Sequence, residues 1–322
     1  MRMVFQLALL SLSALAAQTA LAQEYPTKPV RIVVSASGGL ADLMPRTFAT
    51  RMLERTGQPW IIEQKIGAGG VIGAEYVKAS PPDGYTLFTA FTGVFSILPA
   101  LGAKLSFDVN RDFRPIVLMA TVPNILIVHP SLAANSVREL IALAKSKPGA
   151  LTYASQGVGS SGQITGEQFK QTAGVDILHV PYKGAAPAIQ DLLGGQVSML
   201  FDVVPFALAN VRAGKVRALA VATSERMSIL PEVPTMAEAG IPGMEGGAWF
   251  ALYAPAGTPQ RVVDFINREA NRIFSEPEFR ERMRAQGVEL PLGSPEDLRK
   301  FVQDRTETWG RVARTANIKL EP

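Results

Sequence analysis

The sequence predicts an α/β protein with parallel sheets, and two observations carry this prediction. Short apolar runs typical of strands alternate with helical patterns along the chain from about residue 30. The alternation is clearest at 151–222, where the links are short and glycine follows each helical pattern. Since neighbouring parallel strands need a crossover connection, this region indicates right-handed strand–helix–strand units.

Each predicted strand is a short apolar run that ends at small or turn-forming residues. The runs lie at 30–34, 60–63, 85–90, 151–155, 177–180, 197–201, 216–222 and 249–254. The first of them is rich in valine, and the third follows a Pro-Pro-Asp-Gly turn.

The helices are predicted from apolar spacing and from residues that favour helix ends. After Gly39, the residues Met44, Phe48 and Met52 share one helical face, and Pro45 fits only in the first turn. The other helical patterns begin near 136, 163, 185, 204, 259, 277 and 294. Two of these open with serine caps, one as a Ser-x-x-Glu box and one as Ser-Pro-Glu-Asp.

The composition excludes several classes of protein. The 322 residues include no cysteine and two histidines, His129 and His179, which excludes disulfide scaffolds, thiolate nucleophiles and Cys-ligated zinc. A net charge of +4 without basic clusters argues against nucleic-acid binding. No cofactor is predicted, because Ile72 stands where a dinucleotide fingerprint needs its third glycine. No metal site and no catalytic residue are predicted either.

Residues 1–22 are predicted to be a secretory signal peptide that is cleaved after Ala22. Arg2 precedes an apolar stretch at 4–17, and Ala-Leu-Ala stands at 20–22. The alternative, a membrane anchor, is disfavoured because the apolar stretch is short for a membrane span. An exported chain without disulfides is typical of a bacterial periplasm, and the remaining length suggests two domains.

The candidate ligand-binding residues are small and polar, and they follow predicted strands. They are Ser35, Ser37, Gly38, Gly39, Thr92, Gly93, Gly157, Ser160, Ser161 and Gly184. Ligands of open α/β sheets bind beyond the carboxyl ends of the strands, and helix N-termini bind anions. The pattern therefore predicts a site for a small anion such as a carboxylate. The alternative interpretation is that tight turns between strands and helices simply require small residues.

Two carboxylates and one lysine near these loops leave their roles open. Asp42 is interpreted more readily as a helix cap or first-turn residue than as a ligand contact. Asp202, at a strand end, fits either role; both carboxylates suit a ligand hydroxyl or ammonium but repel a bare carboxylate. Lys183 could donate a charge-assisted bond, although a lysine in a turn is usually solvated.

A set of ordered motifs extends over essentially the whole chain after the leader. They are Tyr-Pro-Thr-Lys-Pro-Val-Arg at 25–31, Gly-Gly at 38–39 with Asp42, Gly-Ala-Gly-Gly-Val-Ile-Gly-Ala at 67–74, Pro-Asp-Gly-Tyr-Thr-Leu at 82–87, Asp-Phe-Arg-Pro-Ile at 112–116, His-Val-Pro-Tyr-Lys-Gly at 179–184, Leu-Gly-Gly-Gln-Val at 193–197, Pro-Thr at 234–235, Glu-Ala-Gly at 238–240 and Ala-Pro-Ala-Gly-Thr-Pro at 254–259. Together they resemble the Bug receptors, the TctC-like periplasmic substrate-binding proteins of tripartite tricarboxylate transporters.

The resemblance implies a two-lobed fold of the type II periplasmic-binding-protein class, with mostly parallel sheets flanked by helices. Lobe 1 would comprise 23–124 and 248–322, and lobe 2 would comprise 125–247. A carboxylate metabolite would bind between the lobes and pass to membrane permease subunits. Carried over by position, the site would include 37–39 of lobe 1. Lobe 2 would add Ser155 to Ser161, Gly184, Ala185 and Asp202.

Three departures from the family pattern concern this site. Val-Ser-Ala-Ser at 34–37 stands where the family usually has Pro-Phe-x-Pro, Leu98 stands in place of a usual asparagine, and Gln163 replaces a frequent histidine. The extra hydroxyls at Ser35 and Ser37 and the loss of a ring predict a wider or wetter pocket, so the ligand is not carried over from any relative.

Two further functions remain open from the sequence. The same pocket could serve a receptor that presents its ligand to a membrane sensor kinase, without a transporter. A periplasmic hydrolase would need turnover and a nucleophile such as Ser160, but no Ser-His-Asp arrangement is recognised.

Overall fold

The computed structural model describes residues 25–36 and 39–315. The predicted signal peptide, its cleavage site after Ala22, and the candidates Ser37 and Gly38 lie outside the described residues. Within the described ranges, every helix is too short or too polar to cross a membrane.

Strands and helices alternate as the sequence predicts. The strands are β1 (Val30–Val34), β2 (Trp60–Gln64), β3 (Thr86–Phe91), β4 (Phe113–Val128), β5 (Thr152–Ser155), β6 (Leu178–Pro181), β7 (Met199–Val203), β8 (Arg217–Val221) and β9 (Gly247–Pro255). The main helices are α1 (Gly39–Thr56), α2 (Val71–Lys78), α3 (Val137–Ser146), α4 (Ser161–Ala173), α5 (Ala185–Leu193), α6 (Val204–Arg212), α7 (Gln260–Phe274), α8 (Pro277–Arg284) and α9 (Pro295–Thr315). Shorter helical segments lie at Ala68–Gly70, Gly93–Ile97, Leu98–Ala100 and Val109–Asp112.

The strands form one mixed sheet in the order β2-β1-β3-β9-β4-β7-β5-β6, with β8 also paired to β4. The α/β class is confirmed, and the pairs β1–β2, β1–β3, β5–β6 and β5–β7 are parallel. The centre of the sheet is antiparallel, because β9 pairs with β3 and β4, and β4 pairs with β7 and β8.

The long strand β4 lies in the middle of the sheet and pairs with different strands along its length. Residues 113–123 pair with β9, whereas 124–128 pair with β7. We call β1, β2, β3, β9 and residues 113–123 the first half of the sheet, and residues 124–128 with β5 to β8 the second half. The sequence pattern does not predict β4, because Pro115 and Pro123 interrupt its apolar run and favour a break.

Separate apolar cores cover the two halves. On the first half, Phe48, Trp60 and Phe274 pack on one face of the sheet, and another cluster contains Phe88 and Phe113. On the second half, one cluster contains Tyr153, Phe169 and Phe201, and another contains Leu200 and Leu208. A smaller cluster joins the halves and consists of Ile97, Ile164, Trp309 and Val312.

Local end signals position most helices as predicted. The Oγ of Ser136 accepts from the amide of Glu139 at 3.2 Å, and the Glu139 carboxylate accepts from the amide of Asn135 at 2.7 Å. The prediction for Pro45 is wrong: α1 starts at Gly39, so Pro45 lies in its second turn. There it removes one intrahelical hydrogen bond.

Candidate ligand-binding site

The candidate residues lie where the two halves of the sheet meet. A methyl group placed on Gly93, which follows β3, would lie 3.2 Å from the carbonyl oxygen of Gly159 in the β5–α4 loop. A methyl group on Gly39, at the start of α1, would lie 2.9 Å from the ring of Phe206 in α6. The loops after β1 and β3 thus approach elements of the second half within van der Waals distance.

Ser35 directly follows β1, and its side chain is buried. Its Oγ has no hydrogen-bond partner among the described residues. A methyl group on Gly70 would lie 3.1 Å from this Oγ and 3.0 Å from the ring of Phe91. The hydroxyl is therefore a buried polar atom that lacks a partner in the described part of the chain, enclosed between Gly70, Gly73 and an aromatic ring.

Asp42 lies in the first turn of α1, as the sequence indicates. Its Oδ2 accepts from Nε of Arg46 at 2.6 Å, while its Oδ1 is buried without a partner among the described residues. A carboxylate in the first turn also interacts favourably with the positive end of the helix dipole. These contacts fit the interpretation as a first-turn residue.

Thr92 ties the end of β3 to the central strand β9. Its Oγ1 accepts from the amide of Trp249 at 2.6 Å, and the side chain is buried. The hydroxyl is thus engaged within the protein, and Thr92 positions the turn that carries Gly93.

Ser155 supports the loop that follows β5. Its Oγ lies 2.7 Å from Nε2 of His179 and accepts from the amide of Gly157 at 3.2 Å. Gly157 has φ of +122°, and a methyl group there would lie 2.8 Å from the carbonyl oxygen of Tyr182. Glycine is required at this position, because both the backbone angle and the close approach exclude a side chain.

The hydroxyls of the two serines at the start of α4 both form hydrogen bonds within the protein. The Oγ of Ser160 caps the helix by accepting from the amide of Gln163 at 3.2 Å. The Oγ of Ser161 donates to Oδ1 of Asn124 at 3.2 Å, and Nδ2 of Asn124 donates to Oγ1 of Thr165 at 2.6 Å. Ser160, the nucleophile that a hydrolase would need, therefore acts as a helix cap.

Asp202 is fully buried in β7, below the same loops. Its Oδ1 accepts from Nε2 of Gln156 at 2.9 Å and from the amide of Val203 at 2.8 Å, while Oδ2 has no partner among the described residues. Burial raises the pKa of Asp202 to about 7, against the lowering effect of these two hydrogen bonds. Near neutral pH this carboxyl can hold a proton on Oδ2 and act as a donor.

The start of α5 faces the same loop. Gly184 precedes the helix with φ of +112°, and its amide donates to the carbonyl oxygen of Gln156 at 3.2 Å. Ala185 is the first helical residue, so its amide is one of those that lack an intrahelical acceptor. Lys183 is exposed to solvent, as expected for a lysine in a turn.

Sequence reasoning missed the side chains that hold this site together. Gln156 joins the β5–α4 loop to Asp202, Asn124 joins β4 to α4, and Phe206 covers Gly39. The one sequence signal that could have found these residues was the long amide side chain of Gln156 in a loop of glycines and serines. In the described ranges, no group of three or more His, Cys, Asp or Glu residues could hold a metal ion.

The chain matches, over residues 44–318, a family described as tripartite tricarboxylate transporter family receptor. It is 34% identical to the protein BugT of Bordetella pertussis, over 93% of this chain and 93% of BugT. It is 36% identical to a UPF0065 protein from the tcbD-tcbE intergenic region of Pseudomonas sp. strain P51, over 89% of this chain and 86% of that protein.

Solved structures share the fold over nearly the whole chain. Rpa4515 of R. palustris with adipate has a TM-score of 0.84 and 37% identity, covering 92% of this chain and 99% of that one. MatC from Rhodopseudomonas palustris with bound malate has a TM-score of 0.79 and 34% identity, covering 89% of this chain and 99% of that one. The periplasmic binding protein BugD has a TM-score of 0.80 and 34% identity, covering 92% and 100%. The matching family is described as a receptor family and BugD as a periplasmic binding protein, which confirms the predicted class of binding protein.

Proposed function

Because this chain belongs to the tripartite tricarboxylate transporter receptor family, we propose that it captures a small carboxylate in the periplasm and delivers it to a membrane permease. The carboxylate would bind where the loops of the two halves of the sheet approach one another. The approach of Gly93 to Gly159 carries this proposal, since it brings loops from both halves of the sheet together.

The chemistry of these loops suits an anion without needing a cation. The N-termini of α4 and α5 provide amides that lack intrahelical acceptors, at Ser161 and Ala185. The Oγ of Ser35 and the Oδ2 of Asp202 are polar atoms near these loops that have no partner among the described residues. Two solved relatives are described with adipate and with malate, so carboxylates are the first class to test.

The two halves of the sheet support a division into two lobes, at 23–124 with 248–322 and at 125–247. The large apolar clusters of the first half draw on residues 30–120 and 249–302, and those of the second half on 125–244. The chain passes between the halves in β4 and again before β9. A ligand that contacts both lobes favours the closed form, by no more than its difference in affinity for the two forms.

The test is thermal unfolding of the protein purified from a bacterial periplasmic extract, against adipate, malate, benzoate, amino acids and a neutral sugar. A ligand at about 100 times its Kd adds roughly 2.7 kcal/mol of stability, which raises Tm by several degrees in a chain of this size. A rise with a carboxylate and none with the sugar supports the proposal. No rise with any carboxylate, repeated after unfolding and refolding to remove bound ligand, contradicts it.

Two further measurements test export and delivery. The intact mass of the periplasmic protein should correspond to a chain that begins at Gln23, as cleavage after Ala22 requires. Uptake of the labelled carboxylate should be lost when either the receptor or the permease subunits are deleted. Uptake that persists without the permease would contradict the role in transport.

A further inference from the structure

Two partly buried apolar side chains, Phe91 and Leu98, stand at the junction of the two halves. Phe91 ends β3, and its ring would lie 3.0 Å from a methyl group on Gly70 and 2.9 Å from one on Gly93. It is only partly buried, although it follows five buried residues of β3. The ring thus packs against an apolar cluster of the first half on one side and borders the glycine loops on the other.

Leu98 reaches between loops of both halves. A methyl group on Gly69, which precedes α2, would lie 3.7 Å from Cδ1 of Leu98. A methyl group on Gly159, in the β5–α4 loop, would lie 3.8 Å from Cδ2 of the same residue. Leu98 therefore places apolar surface between the loops that contain Gly69 and Gly159, next to the contact between Gly93 and Gly159.

Further apolar side chains of the second half stand at this junction. Phe206 is 46% exposed although its ring lies against Gly39, and Val158, next to Gly159, is also 46% exposed. Exposed large apolar side chains that gather in one place often mark a binding site. Here they come from both halves and border the loops assigned to the carboxylate.

A polar and an apolar side chain lie side by side next to Gly70. The Oγ of Ser35 and the ring of Phe91 lie 3.1 Å and 3.0 Å from the same point, a methyl position on Gly70. A ligand whose carboxylate takes the amides at the start of α4 would place its next carbons against Leu98, which lies beside Gly159, and toward the ring of Phe91, which lies beside Gly93. A hydroxyl on those carbons would have no partner on these two side chains, and its desolvation would weaken binding.

We propose that Phe91 and Leu98 form an apolar wall that selects carboxylates with a contiguous apolar body, such as longer aliphatic or aromatic acids, over short or hydroxylated ones. This inference rests on the proposed carboxylate site and names its substrate class. One methylene in an apolar pocket changes affinity by roughly tenfold or more. Adipate should therefore bind at least about tenfold more tightly than succinate, and malate no more tightly than succinate.

The test is calorimetric titration of the purified protein with adipate, benzoate, succinate and malate. In the Leu98→Asn variant the ratio of the Kd of succinate to that of adipate should fall by about tenfold, with the affinity for succinate nearly unchanged. Phe91→Ser should lower the same ratio. Leu53→Asn, an identical change at an exposed leucine of α1, should leave the ratio as in the wild type.

The outcomes separate this inference from the proposed function. Tighter binding of malate or succinate than of adipate and benzoate overturns the inference and leaves the carboxylate receptor standing. An unchanged ratio in Leu98→Asn, with a melting transition like that of the wild type, also overturns it. If that variant does not fold, Leu98→Ala provides the same test with a smaller polar change. Failure of all four acids to bind refutes the carboxylate site itself, and the inference falls with it.

Discussion

Asp202 should make the stability of the ligand-free protein fall as the pH rises from about 4 to about 7. The carboxyl is fully buried, and its Oδ2 has no partner among the described residues. Burial raises its pKa from 3.8 to about 7. The perturbation is Asp202→Asn, which keeps the shape and the oxygen that accepts from Gln156 and Val203 while removing the charge.

The magnitude follows from the two pKa values. At 1.36 kcal/mol for each pH unit between 3.8 and about 7, the ionised carboxylate costs the folded state about 4 kcal/mol. Because the folded pKa of Asp202 is raised, this cost is absent below about pH 4 and complete above about pH 7. Asp202→Asn removes this pH-dependent cost, and its amide group is left as unpartnered as the protonated Oδ2 of the wild type at low pH.

The assay is thermal unfolding of wild type and Asp202→Asn from pH 4 to pH 8. The variant should melt close to the wild type at pH 4 and roughly 8 °C above it at pH 8. The exposed Asp304, changed to Asn, controls for the loss of one negative charge. Melting temperatures of wild type and Asp202→Asn that run parallel across this range would refute the reasoning.

Three other substitutions test the packing around the site. Gly93→Ala places a methyl group 2.9 Å from the Phe91 ring and 3.2 Å from a facing carbonyl, so carboxylate affinity measured by calorimetry should fall about tenfold; unchanged affinity would contradict the close approach. Asn124→Ala leaves buried partners without hydrogen bonds and should lower the free energy of unfolding in urea by about 2–3 kcal/mol, whereas a loss below about 0.5 kcal/mol would contradict this role. Glu269→Gln weakens the ion pair between the buried Glu269 and the solvent-facing Arg55 and should cost about 1 kcal/mol at pH 7 in the same assay; equal stability would show that the pair contributes nothing.

The parts of the fold that depend on local signals could be predicted from the sequence. The capping box at Ser136 and the left-handed Gly174 after α4 both involve residues within five positions of one another. The strand β4 could not be predicted, since its pairing depends on distant partners. Thr121, for example, exchanges backbone hydrogen bonds with Glu289.

The candidate site divides in the same way. Its small residues were predictable, because the ends of strands such as β1 and β5 can be recognised from the sequence. The side chains that position them were not, because each contact spans a long stretch of sequence. Gln156 and Asp202 are 46 residues apart, and Asn124 and Ser161 are 37 residues apart. Such pairs follow from sheet order, which the local pattern does not contain.

The contacts between the two halves of the sheet differ in how much apolar surface their separation would expose to water. At the loops, Gly93 and Gly159 meet through backbone, so little apolar surface is exposed when they part. At α9, Trp309 is fully buried in a cluster with Ile164 of the second half, and its exposure would cost several kcal/mol. We therefore expect opening to separate the loops first, with β4, β9 and α9 keeping their contacts. Because the loop contacts are slight, a small ligand can supply enough differential affinity to favour the closed form.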